Sequence, residues 1–455
     1  MLWATTECGA ANFGDVRLTQ RLVSLVAKLA EHPANSLPEA LGRWSDVKAA
    51  YRFFDNEKVT VEAICNAHKK ATLDRVKQQQ LILAVQDTSV FNFTPHRATE
   101  GLGPIGELHQ SGFFLHSCLA VSSEGVPLGI LAHRLWVRPP ESKDSHKTHK
   151  NRPLEDKESA RWIEVTREVS NSVPAPTKVI MVGDRESDIF DLLLLTAGNH
   201  DILIRAAWDR CLNQSQDHLW QAVENAPVLG HATIKVPRAD ERPERETTLT
   251  LRAATVTLRP PRHRTKQKLA APTLNALLIR EQSPPEAIKP IEWMLLTTLP
   301  TTTFEQALQC LTWYAYRWRI ERYHYILKSG CRVEKLQLET SDRLMRALAV
   351  YTMVASRLLW LTYQARQTPD APCTACLSDS EWGALYATTH KTTILPDHPP
   401  DLQTATLWIA KLGGFLARKS DGQPGVKVLW RGFRRLQDLT TMWELFHPPQ
   451  IVGNA

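Results

Sequence analysis

The sequence predicts an α/β fold: a mixed sheet in the middle of the chain, with helical regions at both ends. Three observations point there. Short apolar runs at 81–87, 177–184 and 201–207 suit buried strands, and helical patterns separate them. Residues 113–138 form two β-rich runs joined by Ser-Ser-Glu-Gly, a hairpin signal. Residues 1–70 and those beyond 341 carry helical periodicity instead.

In order along the chain, "DVRLTQRLVSLVAKLAE" places apolar residues at 18, 22, 23, 25, 26 and 29 on one helix face, with Arg17, Arg21 and Lys28 on the other. "WSDVKAAYRFFDN" is a second helix, with Ser45 or Asp46 as its N-cap. A bundle with a solvated basic face and a small DNA-binding domain both fit this region. "LILAVQD" is a strand ending on Asp87, and "TKVIMVGD" is another ending on Asp184. "DKESARWIEVTREVSNSV" and "RESDIFDLLLLTAG" read as helices, and "DILIRAA" as the next strand. Residues 228–300 alternate polar and β-branched types, the pattern of an antiparallel insertion. A long helix over about 303–328 follows, then helices at 341–366 and beyond. Three domains are expected: 1–70, 71–365 and 366–455.

Composition narrows the function. The 455 residues are 43% hydrophobic and 23% charged, ordinary for a globular protein. There is no run of eighteen apolar residues and no signal-peptide pattern, so a cytosolic protein with no membrane partner is expected. The net charge is +7, and basic residues crowd 134–157, 235–268, 317–335 and 418–435, interrupted by acids, a distribution that fits nucleic acid. Of the eight cysteines only Cys373 and Cys376 form a CxxC; without a second pair, free thiols are expected. "KDSHKTHKNR" at 143–152, with His146 and His149, suits a mobile DNA-facing loop better than a metal site. "GLGPIG" does not sit in a strand-to-helix turn and no Walker motif is present, so no nucleotide cofactor is expected.

The segment 314–328, "YAYRWRIERYHYILK", holds one carboxylate among many cations. On a helix of about 100° per residue, Tyr314, Arg317, Glu321 and Lys328 share a stripe about 60° wide. Ala315, Tyr316, Ile320, Tyr323, Ile326 and Leu327 lie opposite. A solvated face with an Arg317–Glu321 pair would explain the stripe alone. But Asp87 and Asp184 end apolar strands, where open α/β sheets place their sites, and neighbouring carboxylates repel unless a cation joins them. A helical carboxylate would complete an oxygen-ligand site for Mg²⁺, and two such ions can serve phosphoryl transfer.

This arrangement resembles the DDE transposases with a ribonuclease-H-like core. Tyr314, Arg317, Glu321 and Lys328 reproduce the Tyr-x2-Arg-x3-Glu-x6-Lys signature of one subgroup, the bacterial cut-and-paste insertion-sequence transposases. "AVQDTS", "VGDRESDI", "AYRFFDN" and "AKLGGF" resemble further segments of that family, so the likeness spans nearly the whole chain. It implies a ribonuclease-H-like mixed-sheet core with a β-strand insertion, flanked by helical N- and C-terminal domains.

The resemblance also implies an enzyme. Asp87, Asp184 and Glu321 would bind two Mg²⁺, with Mn²⁺ able to substitute. The enzyme would cleave transposon inverted-repeat ends through a hairpin intermediate and join the 3′-OH ends to target DNA. Tyr314, Arg317 and Lys328 would hold phosphates, and Trp293 would stack on a flipped base. Arg185, Arg205 and Lys335 would be further DNA contacts and Arg17 and Arg21 end-binding residues, although Leu18 stands where the family pattern is basic. The stretch 370–455 would form a homodimer that pairs two ends, in a bacterial, nucleoid-associated protein. A non-joining nuclease or resolvase and a non-catalytic end-binding inhibitor are the alternatives.

Overall fold

The computed structural model describes residues 2–106, 109–139, 154–195, 200–213, 217–236, 244–286, 288–418 and 421–447; the loop at 143–152 lies outside them. Five helices precede the sheet: α1 (Leu2–Cys8), α2 (Val16–Glu31), α3 (Leu37–Leu41), α4 (Trp44–Asp55) and α5 (Val61–Val76). The apolar stripe of α2 is realised, with Leu22, Leu25, Val26 and Leu29 buried. Neither Ser45 nor Asp46 caps α4. Arg43 occupies that position without a side-chain bond, and Asp46, inside the first turn, instead meets Lys28 at 2.7 Å and Arg21 at 3.9 Å.

The sheet strands are β1 (Leu81–Asn92), β2 (Gly103–Pro104), β3 (Ser111–Ser122), β4 (Pro127–Trp136), β5 (Lys178–Gly183), β6 (His200–Arg205), β7 (Val228–Val236), β8 (Arg245–Thr257), β9 (Thr273–Glu281) and β10 (Glu292–Thr297). β1, β3 and β4 pair antiparallel, while β5 and β6 run parallel to β1. The strand order β4-β3-β1-β5-β6 is a ribonuclease-H-like core. The expected insertion does not stand apart. β10 pairs antiparallel with β6, so β10-β9-β8-β7 prolong the same sheet.

Alternation along the strands builds two cores. Leu83, Val85, Ile180, Val182 and Leu203 face the N-terminal helices and the long helix Ser341–Gln367. Ile82, Ala84, Val179, Met181, Ile202 and Ile204 face the helices Ala160–Ser172 and Leu219–Glu224. Because both faces are covered, these strands read as continuous apolar runs. "RESDIFDLLLLTAG" is not one helix. It forms a 3₁₀ turn, Arg185–Ser187, and a single helical turn, Phe190–Leu193. Asp188 interrupts it: its buried carboxylate accepts from the amides of Ala207 and Trp208 and from Arg210.

Helix Ser341–Gln367 is the one helix among the described residues long and apolar enough to cross a membrane, and 78% of that stretch is buried inside the fold. It is the central post of the structure, packed by α2 and α5 on one side and by the last helices on another. It runs past residue 365, as α5 runs past residue 70. α5 is bolted to the sheet, for the amide of Ile130 donates to His68 Nε2 at 3.0 Å. The final helices, Asp379–His390, Leu402–Leu412 and Val426–Phe446, enclose a separate core. There Gly432 lets two helices touch, since a Cβ would lie 1.8 Å from the carbonyl oxygen of Ile409.

A buried ion cluster ties the first helix to α5. Glu7, 3% exposed, contacts His68 and lies 3.0 Å from Arg75. Burial opposes its charge, but His68 and Arg75 outweigh burial and bring the Glu7 carboxyl down to about 2. A depressed folded pKa stabilises above the unfolded value, and that stability is lost as pH falls toward 2. Glu7→Gln is therefore expected to cost about 2–3 kcal/mol at pH 7 in denaturant unfolding. The gap to the unsubstituted protein should narrow as pH falls below 4.5.

Candidate active site

The parallel pairing of β1 with β5 ends at Val85 opposite Val182. Asp87 stands two residues beyond that pair, and Asp184 directly follows β5. Both carboxylates therefore leave the sheet at the carboxyl edge of its parallel strands. β1 does not end at Asp87 as expected. It continues to Asn92 as the partner of β3, with Asp87 opposite Ser117, because only its parallel side terminates. At Gly183 the chain turns sharply. A Cβ there would lie 2.4 Å from Ser187 Oγ and 3.0 Å from Trp162. The turn is held by Asp184, whose Oδ1 accepts from the Glu186 amide at 2.9 Å.

The helix expected over 303–328 comes in three pieces: Phe304–Ala315, Trp318–Tyr325 and a π turn, Ile326–Gly330. Between the first two the amides of Tyr316, Arg317 and Ile320 reach back three residues, at 3.0–3.1 Å. Such a 3₁₀ step advances more per residue than an α-helix and shifts the faces. Ile320, Tyr323, Ile326 and Leu327 are buried as expected, but Tyr314 and Arg317 are not on a solvated stripe. Tyr314 is 1% exposed and meets the Trp293 ring edge-on at 5.1 Å. Arg317 is 7% exposed, donates from Nη2 to Glu321 at 2.7 Å and leaves its buried Nε without a partner.

Asp87, Asp184 and Glu321 influence one another's charge. Burial pushes the Asp184 carboxyl above its usual range, and the Asp87 charge adds to this. Burial also raises Glu321; Arg317 opposes that, and both aspartates reinforce it. Glu186 is raised by burial and then by Asp184 and Asp87. Arg317 is held above its usual range by Tyr314, Glu321 and Asp87 against the cost of burial. Among the described residues, no three His, Cys, Asp or Glu side chains stand close enough to hold one metal ion. Glu321 is instead engaged by Arg317.

The other expected residues divide. Arg205, at the end of β6, donates to the carbonyl of Glu292 at 2.9 Å and feels Tyr314, Arg185, Arg317 and Asp184. Lys328 lies 5.4 Å over the Phe91 ring; burial lowers it, while Glu334 and Asp87 pull it back. Trp293 is half-buried on β10. Arg185 is exposed beside Asp184, and Lys335 is exposed in the turn Val333–Lys335, which Glu334 ties to the amide of Asn92 at 2.8 Å. Arg17 and Arg21 stay on α2, and Arg17 is engaged with its own N-cap Asp15 at 2.8 Å. Two residues were missed. His324 lies 3.5 Å from Asp87 and also reaches Ser117 Oγ at 3.3 Å. Its position one turn after Glu321 was the signal that could have found it. Glu186 lay inside "VGDRESDI" without a role.

Three family models match the chain: "Transposase DNA-binding" over residues 1–59, "Transposase DDE domain" over 130–356 and "Transposase Tn5 dimerisation domain" over 353–444. With the ribonuclease-H-like sheet, they define a metal-dependent enzyme of phosphoryl transfer on DNA. The chain belongs to the insertion-sequence DDE transposases, with DNA and a second copy of itself as partners. The DDE match contains Asp184 and Glu321 but begins beyond Asp87.

Asp184→Asn keeps the acceptor for the Glu186 amide and removes a charge that burial and Asp87 disfavour. In EDTA its thermal stability is expected to equal or exceed that of the unsubstituted protein, by up to about 1 kcal/mol. A clear loss of stability would mean that the charge itself is structurally required.

Proposed function

We propose that the protein excises and reinserts a transposon, with Asp87, Asp184 and Glu321 as its metal ligands. One observation carries this reading: Asp87 and Asp184 leave paired parallel strands at one sheet edge, and their charges, with burial, raise the Glu321 carboxyl that Arg317 engages. Half-buried carboxylates that raise one another's pKa fit hard divalent cations. Two Mg²⁺ held there, or Mn²⁺ in their place, would supply an activated nucleophile and stabilise the leaving oxygen.

The side chains do the rest. With metal bound, Glu321 would serve as a ligand in place of its bond to Arg317. Arg317, with an Nε already free, then turns to a phosphate of the DNA strand. Arg205, Arg185 and Lys328 surround the same edge and neutralise neighbouring phosphates. Buried Tyr314 supports the Trp293 ring, which stacks on an extruded base. Water first cuts one strand and frees a 3′-OH. That hydroxyl attacks the opposite strand to close a hairpin, a second water opens it, and the 3′-OH finally attacks target DNA. Arg17, Arg21 and Lys335 contact the inverted repeats. Two subunits pair the ends through the last helices, and the work is done on cytoplasmic, nucleoid DNA.

The test uses linear DNA carrying the inverted repeats that flank the protein's own gene, with and without Mg²⁺, run on a denaturing gel. A Mg²⁺-dependent hairpin and joined product are expected, falling by at least about 10³-fold in Glu321→Ala. Nicks without hairpin or joining would mean a nuclease. Bound, uncut ends would mean an inhibitor.

A further inference from the structure

We propose that Trp208 is a second base-stacking residue, one that packs against a nucleobase of the DNA at the carboxyl edge of the sheet. The inference rests on the DNA-cleaving reading above.

Trp208 follows Arg205, the last residue of β6, and β6 is the parallel neighbour of the strand that delivers Asp184. Its loop is anchored at nearly every position. The Ala206 amide donates to the Met294 carbonyl at 2.8 Å. The amides of Ala207 and Trp208 donate to Asp188 Oδ2 at 2.8 and 3.1 Å. Asp209 Oδ1 accepts from the Trp220 amide at 3.0 Å. Arg210 Nη2 donates to Asp188 Oδ1 at 2.6 Å, and that carboxylate is fully buried. Asp188 belongs to the same turn as Asp184, so one buried carboxylate fixes the tryptophan backbone to the candidate site.

The indole alone is left out. Trp208 is 65% exposed, although the loop that carries it is fixed in place. A lone exposed tryptophan needs no explanation by itself. Here it stands on an immobilised loop, a few residues from Arg205, which feels Asp184, Arg185 and Arg317. An exposed ring on a hydrogen-bonded loop, three residues after Arg205, is equipped to stack on an unpaired base of DNA held at that edge. Trp293 is less free, since Tyr314 already meets its ring and it is half-buried. The two indoles would therefore engage different bases.

The experiment compares the full-length protein with Trp208→Leu and Trp208→Phe on inverted-repeat DNA carrying 2-aminopurine at successive positions around the cleavage site. Gel shift, Mg²⁺-dependent cleavage and 2-aminopurine fluorescence are read together, and thermal unfolding checks folding. Quenching at one position is expected with the unsubstituted protein and with Phe, and its loss with Leu. Cleavage or joining should fall about tenfold or more with Leu and recover with Phe. If the unsubstituted protein cuts while the Leu variant, equally folded, quenches and cuts like it, the inference is overturned. Failure of Phe to rescue would also overturn it, because the residue would then not act by stacking. If the unsubstituted protein does not cut at all, the cleaving reading itself fails.

Discussion

Negative charge buried at one sheet edge is the constraint on which the candidate site depends. Two parallel strands bring Asp87 and Asp184 to the same edge, and a helix adds Glu321. Burial makes each negative charge more costly, as the raised Asp184 and Glu321 carboxyls record. Around this charge stand one buried cation, Arg317, a buried imidazole, His324, and two half-buried cations, Arg205 and Lys328. Arg317 pairs with Glu321 and His324 stands by Asp87, while the charges of Asp184 and Asp87 reach Arg205 and Lys328. A site of this kind is folded but electrostatically unfinished, and divalent cations and DNA phosphates are the natural complement.

The scaffold explains how such a site is tolerated. β1, β5 and β6 are apolar on both faces, so the strands are fixed before they reach the acids. Behind the signature helix, Ser341–Gln367 fills the centre of the fold and takes contacts from the N-terminal helices and from the last helices alike. A DNA-binding region, a catalytic sheet and a dimerisation region therefore share one central helix. That continuity gives a direct physical route by which a bound end or a second subunit can influence the catalytic helix.

Much of this was legible in the sequence, and the failures have physical causes. The strands ending near Asp87 and Asp184 were visible because burial on both faces leaves a continuous apolar run. The hairpin of β3 and β4 was visible from its turn residues. The helix wrongly expected after Asp184 has apolar spacing but is broken by Asp188, whose carboxylate is needed by a loop some twenty residues away; no local pattern carries that. The stripe over 314–328 assumed an ideal helix, and the 3₁₀ step near Tyr316 moved Tyr314 and Arg317 inward. Glu321 was found because a lone acid among cations is conspicuous. His324 was not, because a histidine among arginines and tyrosines looks ordinary. The likeness of "YRWRIERYH" and "VGDRESDI" to a known family carried the functional reading further than periodicity could.

The most direct test of a shared metal site is Mn²⁺ binding, measured by electron paramagnetic resonance on the protein bound to end DNA, with Glu321→Gln alongside. Saturable binding that weakens at least about tenfold in the variant is expected, since one anionic ligand is lost and Arg317 is set free. Mn²⁺ binding identical in the two proteins would contradict the account, because Glu321 would then belong to the Arg317 pair and not to the metal.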